Sequence, residues 1–263
     1  MLITSLSNKK IKNLVTLLQK PKLRKEQDIF LVEGSKMFLE AKEEYLREIY
    51  VRQDFLEKEG SSGKIRERLE RCGYEIVAEE VFKKISSTVS PQGIVAVVKQ
   101  YHYRLEQLLE RKNPLLLLLE DIQDPGNLGT MIRTAEGAGV HGVIMNRNTV
   151  DIYNPKTIRS TMGSIYRVPF YYTDDLKDTM NLLKKQGVRI YAAHLKGERL
   201  YHKTDYTSGT AFLIGNEGNG LKKETADLAD YYLKIPMQGQ VESLNAAVAS
   251  VILMYEAARQ RME

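Results

Sequence analysis

The chain has 263 residues, of which 43% are hydrophobic and 28% charged, with a formal net charge of +5; this composition is typical of a globular protein and argues against disorder. The longest aliphatic run, Leu115 to Leu119, is far shorter than the roughly 20 residues of a membrane helix, and lysines interrupt the position of a signal-peptide core, so a cytoplasmic protein is expected. One cysteine and four scattered histidines exclude an internal disulfide and give no zinc-site spacing, so no metal is expected.

The basic excess lies in the first part of the chain. Residues 1–112 carry 22 Lys and Arg against 17 Asp and Glu, whereas residues 113–263 carry 17 of each. Near the N-terminus, apolar residues at helical spacing predict an amphipathic helix that presents lysines to solvent. Lys9, Lys10 and Lys12 are therefore candidates for binding a polyanion such as RNA, although a solvated helix face explains these charges equally well.

The first hundred residues alternate short apolar strands with helices. The predicted elements are a helix from Lys9 to Lys20 ended by Pro21, a strand at Ile29 to Val32, a helix from Ser35 to Glu44, a strand at Glu48 to Val51, a loop at Gly60 to Gly63, a charged helix to Cys72, and strands at Tyr74 to Ala78 and Ile94 to Val98. This pattern predicts a small α/β domain over residues 1–100. The charged, aromatic segment Lys99 to Pro114 is the expected domain boundary.

A second alternating unit is predicted over residues 113–263. Its predicted strands are Leu115 to Leu119, Val143 to Met145, Arg189 to Ala193, Ala211 to Ile214 and Tyr231 to Ile235, and a final helix runs from Ser243, its predicted N-cap, to Arg261. Such a pattern indicates a mostly parallel sheet covered on both faces, with ligand sites beyond the carboxyl ends of its strands. Functional residues are therefore expected in the loops that follow these strands.

Three of these loops combine glycines with polar side chains. The loop Glu120 to Gly129 leads into a helix that carries Arg133, and its tight turn and helix start could hold an anion. In the loop Ile214 to Leu221, three glycines allow close approach of the backbone to a ligand, and Glu217 supplies an acceptor. The third loop, Ile235 to Asn245, enters the final helix. Each loop taken alone could equally be a structural turn, and the first is neither a Walker loop nor a dinucleotide fingerprint.

In this order and spacing the loops resemble motifs 1, 2 and 3 of the SpoU (TrmH-like) family of RNA ribose methyltransferases in the SPOUT superfamily. Motif 1 corresponds to Asp124–Gly129 through Arg133, motif 2 to Ile214–Gly220, and motif 3 to Ile235–Met237 with Ser243–Asn245. An intermediate segment containing Lys156 and Arg159 also resembles the family. The N-terminal unit is similar to the substrate-binding domain, related to ribosomal protein L30e, that is often fused ahead of such enzymes.

The resemblance implies a C-terminal α/β domain with a deep trefoil knot whose loops bind S-adenosylmethionine. The cofactor-binding positions carried over are Ala193, Gly215, Asn216, Ile235, Met237 and Leu244, and the catalytic positions are Arg133, Asn127, Glu217, Ser243 and Asn245. The implied reaction is 2′-O-methylation of a ribose in structured RNA. The implied assembly is a homodimer paired through the C-terminal domain.

Arg133 is the base proposed in the family, but a guanidinium stays protonated above about pH 12. We expect it instead to hold the neighbouring phosphate and stabilise negative charge on the oxygen, ordered by Asn127, Glu217, Ser243 and Asn245. The N-terminal domain, its basic helix, Lys156 and Arg159 are the expected RNA contacts.

The sequence leaves other functions open. The fused N-terminal domain favours ribosomal RNA, most simply 23S rRNA, over transfer RNA, and the motif set favours ribose over base methylation. A non-catalytic RNA-binding protein on the same fold is the alternative from another class, and binding of S-adenosylmethionine would separate the two. The sequence does not name the nucleotide.

Overall fold

The computed structural model describes residues 2–58 and 63–262. It contains two compact α/β units, the first comprising Met1–Tyr101 and Tyr153–Tyr166 and the second His102–Ile152 and Arg167–Glu263. Within the described residues, no helix has the length and apolar character needed to cross a bilayer.

The first unit is built on a five-stranded mixed sheet. Its strands are β1 (Leu2–Ile3), β2 (Ile29–Glu33), β3 (Leu46–Arg52), β4 (Glu75–Val77) and β5 (Ile94–Lys99), in the order β1-β4-β3-β5-β2. Strands β1, β4 and β3 run parallel, and β5 pairs antiparallel with β3 and β2. Its first six helices are α1 (Lys9–Gln19), α2 (Pro21–Gln27), α3 (Ser35–Glu40), α4 (Phe55–Lys58), α5 (Gly63–Cys72) and α6 (Glu79–Ile85). The core joins the apolar stripe of α1 to α6 and the sheet.

Two details of the first unit differ from the sequence-based predictions, and part of a third prediction is not tested. Pro21 ends α1 but also occupies the first turn of α2, a position that suits its fixed φ and missing N–H. The helix that begins at Ser35 ends at Glu40 and is followed by a separate 3-10 turn. Residues 60–62 of the predicted loop lie outside the described residues, and Gly63 begins α5.

The second unit contains a seven-stranded, all-parallel sheet. Its strands are β6 (Leu115–Leu119), β7 (Gly142–Asn146), β8 (Phe170–Thr173), β9 (Arg189–Ala193), β10 (Arg199–Leu200), β11 (Thr210–Ile214) and β12 (Tyr231–Lys234), in the order β10-β12-β9-β11-β6-β7-β8. Its helices are α7 (Leu105–Leu108), α8 (Pro125–Gly137), α10 (Leu176–Lys185), α11 (Lys223–Ala226) and α12 (Ala246–Met262), while α9 (Pro155–Thr161) belongs to the first unit.

The sheet of the second unit is covered on both faces, as the sequence predicts. All five residues of β6 are buried, and because side chains alternate between faces along a strand, both faces must be packed. The apolar side of α10 lies against one face, and α8 and α12 pack together with α12 against β11. The five predicted strands are confirmed to within a residue or two. The edge strands β8 and β10 were missed because they are short and only partly buried.

The segment Tyr153–Tyr166 packs within the first unit, although sequence patterns assigned it to the second domain. The hydroxyl of Tyr153 donates to the carbonyl oxygen of Tyr101 at 2.8 Å and accepts from its backbone N–H at 2.6 Å, and its ring lies 4.6 Å from that of Phe30. The hydroxyl of Tyr166 donates to the carbonyl oxygen of Met37 at 2.9 Å. Buried hydrogen bonds thus tie both ends of the segment to the first unit, and here the compact units depart from the predicted domain ranges.

Replacing Tyr153 by Phe should lower the free energy of unfolding by about 1–3 kcal/mol, because two buried backbone groups of Tyr101 lose their partner. Urea denaturation checks this. Tyr74→Phe, a partly buried tyrosine of the same unit, is the matched control and should cost less than about 0.5 kcal/mol. Equal losses in the two variants would contradict the proposed anchoring.

Candidate active site

A cavity of about 490 Å³ opens in the second unit at the carboxyl ends of adjacent strands. Because β12, β9 and β11 are neighbours and run parallel, the loops that follow them meet at one edge of the sheet. The cavity is of the size that binds small ligands. All six residues predicted to bind the cofactor line it: Ala193, Gly215, Asn216, Ile235, Met237 and Leu244. Two predicted catalytic residues, Glu217 and Ser243, line it as well.

Asn216 shapes the turn that follows β11. Its backbone pairs with that of Gly220, which has a φ of +67°, a conformation that favours glycine. Its side-chain oxygen accepts hydrogen bonds from the N–H groups of Gly218 and Asn219, and its side-chain nitrogen donates to the carbonyl oxygen of Asp121 at 2.8 Å. One amide therefore closes the motif 2 turn and ties it to the motif 1 loop.

Glu217 joins the same two loops through its carboxylate. It accepts hydrogen bonds from the backbone N–H groups of Gln123 at 3.1 Å and Asp124 at 3.0 Å, and from the side-chain nitrogen of Asn127 at 3.0 Å. Partial burial by itself raises the pKa of Glu217, but the hydrogen bonds from Asn127, Asp124 and Gln123 outweigh it, and the pKa lies below its ordinary value. The side chain is therefore ionised at neutral pH and already accepts three hydrogen bonds.

The hydrogen-bonded chain continues into motif 3. The side-chain nitrogen of Asn245 donates to the side-chain oxygen of Asn127 at 3.1 Å. The side-chain oxygen of Asn245 accepts from the N–H groups of Ala247 and Val248 and so caps α12. Three predicted catalytic residues, Glu217, Asn127 and Asn245, thus form one connected chain.

One detail of the motifs, the cap of the last helix, was predicted wrongly. Ser243 is not the N-cap of the last helix, because the chain stays irregular along the cavity wall up to Asn245 and α12 begins at Ala246. The cap of α8 is Asp124, whose side chain accepts from the N–H of Asn127. The side chain of Asn127 serves the chain that links Glu217 to Asn245.

Arg133 is exposed and does not line the cavity of its own chain. Since α8 begins at Pro125, Arg133 lies about 240° around the helix axis from Asn127 and about 9 Å further along it. Within the described residues, no hydrogen bond joins Arg133 to the chain of Glu217, Asn127 and Asn245. The expected ordering of Arg133 by these side chains is therefore not formed inside one subunit.

Several residues of the site could not be identified from the sequence, because they only lie near the motifs and match no motif position. Asp121 has a φ of +56°, forms an ion pair with Lys222 at 2.7 Å, and exchanges hydrogen bonds with Asn146. Burial raises the pKa of Asp121, but Lys222 and Asn146 more than offset it, and the pKa is lowered. Glu120, buried at the end of β6, accepts from the hydroxyl of Thr225 and the N–H of Lys222. These contacts fix the motif 1 loop against the segment after motif 2.

The five predicted RNA contacts lie in the first unit. Lys9 and Lys12 are exposed on α1, whereas the ammonium of Lys10 pairs with Glu75, which raises the pKa of Lys10. Lys156 and Arg159 lie on α9 and are also exposed. Their role in RNA binding stays a prediction.

The cavity suits an adenosine-containing cation such as S-adenosylmethionine. Apolar side chains including Leu195, Ile235 and Met237 can cover a base, and Gly215, which has no side chain, leaves its backbone open to polar contacts with a ligand. Glu217 and Glu242 are also among the lining residues, and their negative charge favours a ligand with positive charge.

Comparison with known proteins assigns both parts of the chain. Residues 114–255 match the SpoU rRNA Methylase family, and residues 8–96 match the MRM3-like substrate binding domain. The chain is 35% identical over 256 residues to the Bacillus subtilis 23S rRNA (guanosine(2553)-2'-O)-methyltransferase RlmP, covering 96% of this chain and 97% of that protein. It is 34% identical to the Bordetella pertussis 23S rRNA (guanosine-2'-O-)-methyltransferase RlmB over 224 residues, covering 83% and 91%.

Two solved structures show the same architecture along the whole chain. The AdoMet-bound SpoU methyltransferase AviRb from Streptomyces viridochromogenes superposes with a TM-score of 0.86 at 28% identity, covering 97% of this chain and 99% of that one. The AdoMet-bound rRNA methyltransferase from Sinorhizobium meliloti has a TM-score of 0.84 at 31% identity, covering 98% and 97%.

Fold and cavity together define a methyltransferase of the SPOUT class joined to an RNA substrate-binding domain. The chain belongs to the SpoU rRNA Methylase family. The predicted family, fold class and cofactor are confirmed, as is the enzyme class, an RNA ribose 2′-O-methyltransferase that uses S-adenosylmethionine. The trefoil knot and the likeness of the N-terminal domain to L30e stay predictions.

Replacing Gly215 by Ala should lower the affinity for S-adenosylmethionine about tenfold or more. An added Cβ would lie 2.4 Å from backbone atoms of Gly220 and Leu221, so the turn would have to open. Gly218→Ala is the matched control, since its Cβ would approach nothing closer than the Asn216 side-chain oxygen at 3.6 Å. Calorimetric titration measures both. Equal affinities would contradict the inference that this turn must close tightly to form the cofactor site.

Proposed function

We propose that this protein methylates the 2′-hydroxyl of a guanosine in 23S rRNA, an activity that would place it in the cytoplasm. The observation that carries the proposal is the chain of Glu217, Asn127 and Asn245, which links three loops beside a cavity suited to the methyl donor. The printed activities of RlmP and RlmB support the choice of 23S rRNA and of guanosine.

The reaction depends more on alignment of the ribose 2′-oxygen with the methyl group than on a strong acid or base in the protein. When bound, S-adenosylmethionine supplies a methyl group on a sulfonium whose leaving thioether is neutral. The ribose 2′-oxygen forms a bond to the methyl carbon as the carbon–sulfur bond breaks, and the hydroxyl proton is lost. The task of the protein is to hold that oxygen in line and to stabilise its developing negative charge.

No residue of the hydrogen-bonded chain is suited to accept the proton. Glu217 has a lowered pKa and gives its oxygens to three donors, and Asn127 and Asn245 are neutral amides. We therefore assign these three as positioning residues and propose that the proton of the 2′-hydroxyl passes to water. Arg133 provides positive charge for the phosphate next to the reacting ribose.

We propose further that Arg133 serves the cavity of a partner subunit in a homodimer. Arg133 lies one turn before Gly137, and an added Cβ at Gly137 would lie 3.0 Å from the Tyr255 hydroxyl oxygen, so Arg133 borders α12. Val248 and Tyr255 on α12 are 47% and 49% exposed, which leaves an apolar face on the helix. Pairing of two such faces would cover apolar surface and bring each Arg133 next to a second chain.

Arg133→Ala should reduce turnover by about 10²-fold or more, because the variant no longer positions the phosphate or stabilises the developing charge. The affinity for S-adenosylmethionine should be unchanged, because the substitution leaves the cavity intact. Single-turnover methylation and calorimetry measure the two quantities. Arg133→Lys is the control that keeps the charge and loses the fork geometry. A near-normal rate for Arg133→Ala with cofactor bound would refute the role.

Co-expression tests whether Arg133 acts across the interface. Subunits carrying Arg133→Ala are combined with subunits whose cofactor site is disrupted by Gly215→Ala, at a concentration of S-adenosylmethionine well below the Kd of the Gly215→Ala variant. A heterodimer then holds one site with an intact cavity and an intact arginine from the partner, and turnover should return. Combinations that stay inactive, in dimers shown to contain both chains, would place the arginine in its own subunit.

Ribonuclease digests of RNA from cells with and without this protein test the substrate. We expect one 2′-O-methylated guanosine fragment of 23S rRNA to disappear on mass spectrometry and to return with the wild-type chain but not with Arg133→Ala. Loss from the transfer RNA fraction would favour the transfer RNA alternative. A methyl group lost from a base would contradict ribose methylation. Unchanged RNA, together with no cofactor binding in calorimetry, would favour the non-catalytic alternative.

A further inference from the structure

The first unit carries a basic groove of about 380 Å³ that the cofactor cavity does not explain. Its lining combines cations with hydroxyl and amide groups: Lys84, Lys156, Arg159, Ser86, Ser87 and Asn154. The C-terminal half of α1 adds apolar contacts through Val15 and Leu18. Among the described residues that line this basic groove, three are cationic and none is acidic.

The cations come from separate parts of the sequence that the fold brings together. Lys84 lies on α6, whereas Lys156 and Arg159 lie on α9, in the segment that Tyr153 and Tyr166 anchor to the first unit. Concentration of three positive charges in one concave surface raises the local potential and attracts a polyanion.

The wall of the basic groove is held rigid by a network beneath it. The carboxylate of Glu33 accepts hydrogen bonds from the hydroxyls of Ser86 at 2.8 Å and Thr88 at 2.6 Å, and from the N–H of Ser87 at 3.0 Å. Arg159 donates to the carbonyl oxygen of Ser87 at 3.1 Å. Neutral donors thus hold the carboxylate of Glu33 in place, and the same hydrogen bonds hold the loop.

The N-terminal lysines offer a weaker alternative surface. The charge of Lys10 is offset by Glu75, and Arg24 is 2% exposed and donates to the carbonyl oxygen of Leu17 at the end of α1. Some basic residues near the N-terminus therefore stabilise the fold and contribute little to a surface that binds RNA.

We propose that the basic groove binds the phosphate backbone of the RNA substrate, with Lys84 and Lys156 contacting phosphates and Arg159 positioning the Ser87 loop. This rests on the proposed function in that the substrate is RNA. Hydroxyl and amide donors beside lysines match phosphate oxygens and ribose 2′-hydroxyls, the groups through which proteins hold structured RNA. Backbone contacts of this kind do not depend on base sequence.

The test compares two double variants of the full chain that remove equal charge from the first unit. Lys84→Ala with Lys156→Ala removes the groove lysines, and Lys22→Ala with Lys83→Ala removes lysines that pair with acidic neighbours outside it. Arg159 is left intact because it supports the loop. Binding to an unmodified 23S rRNA transcript and to a perfectly paired RNA hairpin of unrelated sequence is measured against salt concentration.

The groove variant should lower the slope of log affinity against log salt by about 2 on both RNAs, because each lysine removed leaves one phosphate without its cation. The control variant should keep the wild-type slope, and S-adenosylmethionine affinity should be unchanged in both. Equal slopes in the two variants would overturn the proposal, and so would a reduced slope on one RNA alone. Either result would favour another polyanion, such as an acidic protein surface, as the ligand of the groove. If wild-type enzyme fails to methylate 23S rRNA but the slopes differ on the hairpin, the proposed substrate fails and the groove stands.

Discussion

The carboxylate of Glu217 binds the loop after β11 to the loop after β6, and the arrangement of the site depends on it. Its three donors come from two backbone N–H groups and the side chain of Asn127. Hydrogen bonds to an ionised acceptor are about twice as strong as neutral ones. Each donor left buried without a partner would cost about 1–3 kcal/mol. Asn127, held in this way, is presented to Asn245, whose cap on α12 extends the constraint to the third loop.

This arrangement explains why a site without an evident base can support methyl transfer. The same hydrogen bonds that fix Glu217 also lower its pKa. A carboxylate that is held in this way is a rigid hydrogen-bond acceptor and, for the same reason, a weak base. A polar network that is already hydrogen-bonded before substrate arrives need not reorganise during the reaction. Positioning is therefore the property that these side chains provide, and positive charge must come from elsewhere.

Sequence patterns predict the parts of this fold that are governed by local periodicity. The buried run Leu115–Leu119 and the glycine-rich loop after Ile214 are placed correctly because burial on both faces and tight turns leave a direct compositional signal. Edge strand β8 leaves none, since it has only four residues and its middle residues are only partly buried. Helix starts are harder still, because Asp124 and Asn127, or Ser243 and Asn245, are chemically equivalent caps and only the path of the preceding loop decides between them.

Residues far apart in sequence account for what could not be predicted. Lys84 has no motif around it and gains interest only because the fold sets it near Lys156 and Arg159. The segment 153–166 lies within the stretch that matches the methyltransferase family, yet its two tyrosines make their hydrogen bonds to backbone of the first unit. Periodicity describes how an element buries one face and says nothing about which part of the chain covers that face.

Because the segment 153–166 belongs to the first unit, the charges of the two units differ from those of the two predicted domains. Counted by compact unit, the first has 21 Lys and Arg against 15 Asp and Glu, and the second has 18 against 19. Long-range attraction of a polyanion therefore acts on the first unit, whereas the cofactor cavity lies in a unit that is nearly neutral and has two carboxylates on its wall. Salt should then weaken RNA binding more than cofactor binding, because the first depends on release of counterions from several phosphates and the second mainly on apolar and backbone contacts. An exposed Arg133 on the nearly neutral unit is consistent with this division, since one arginine can select one phosphate without holding the rest of the RNA.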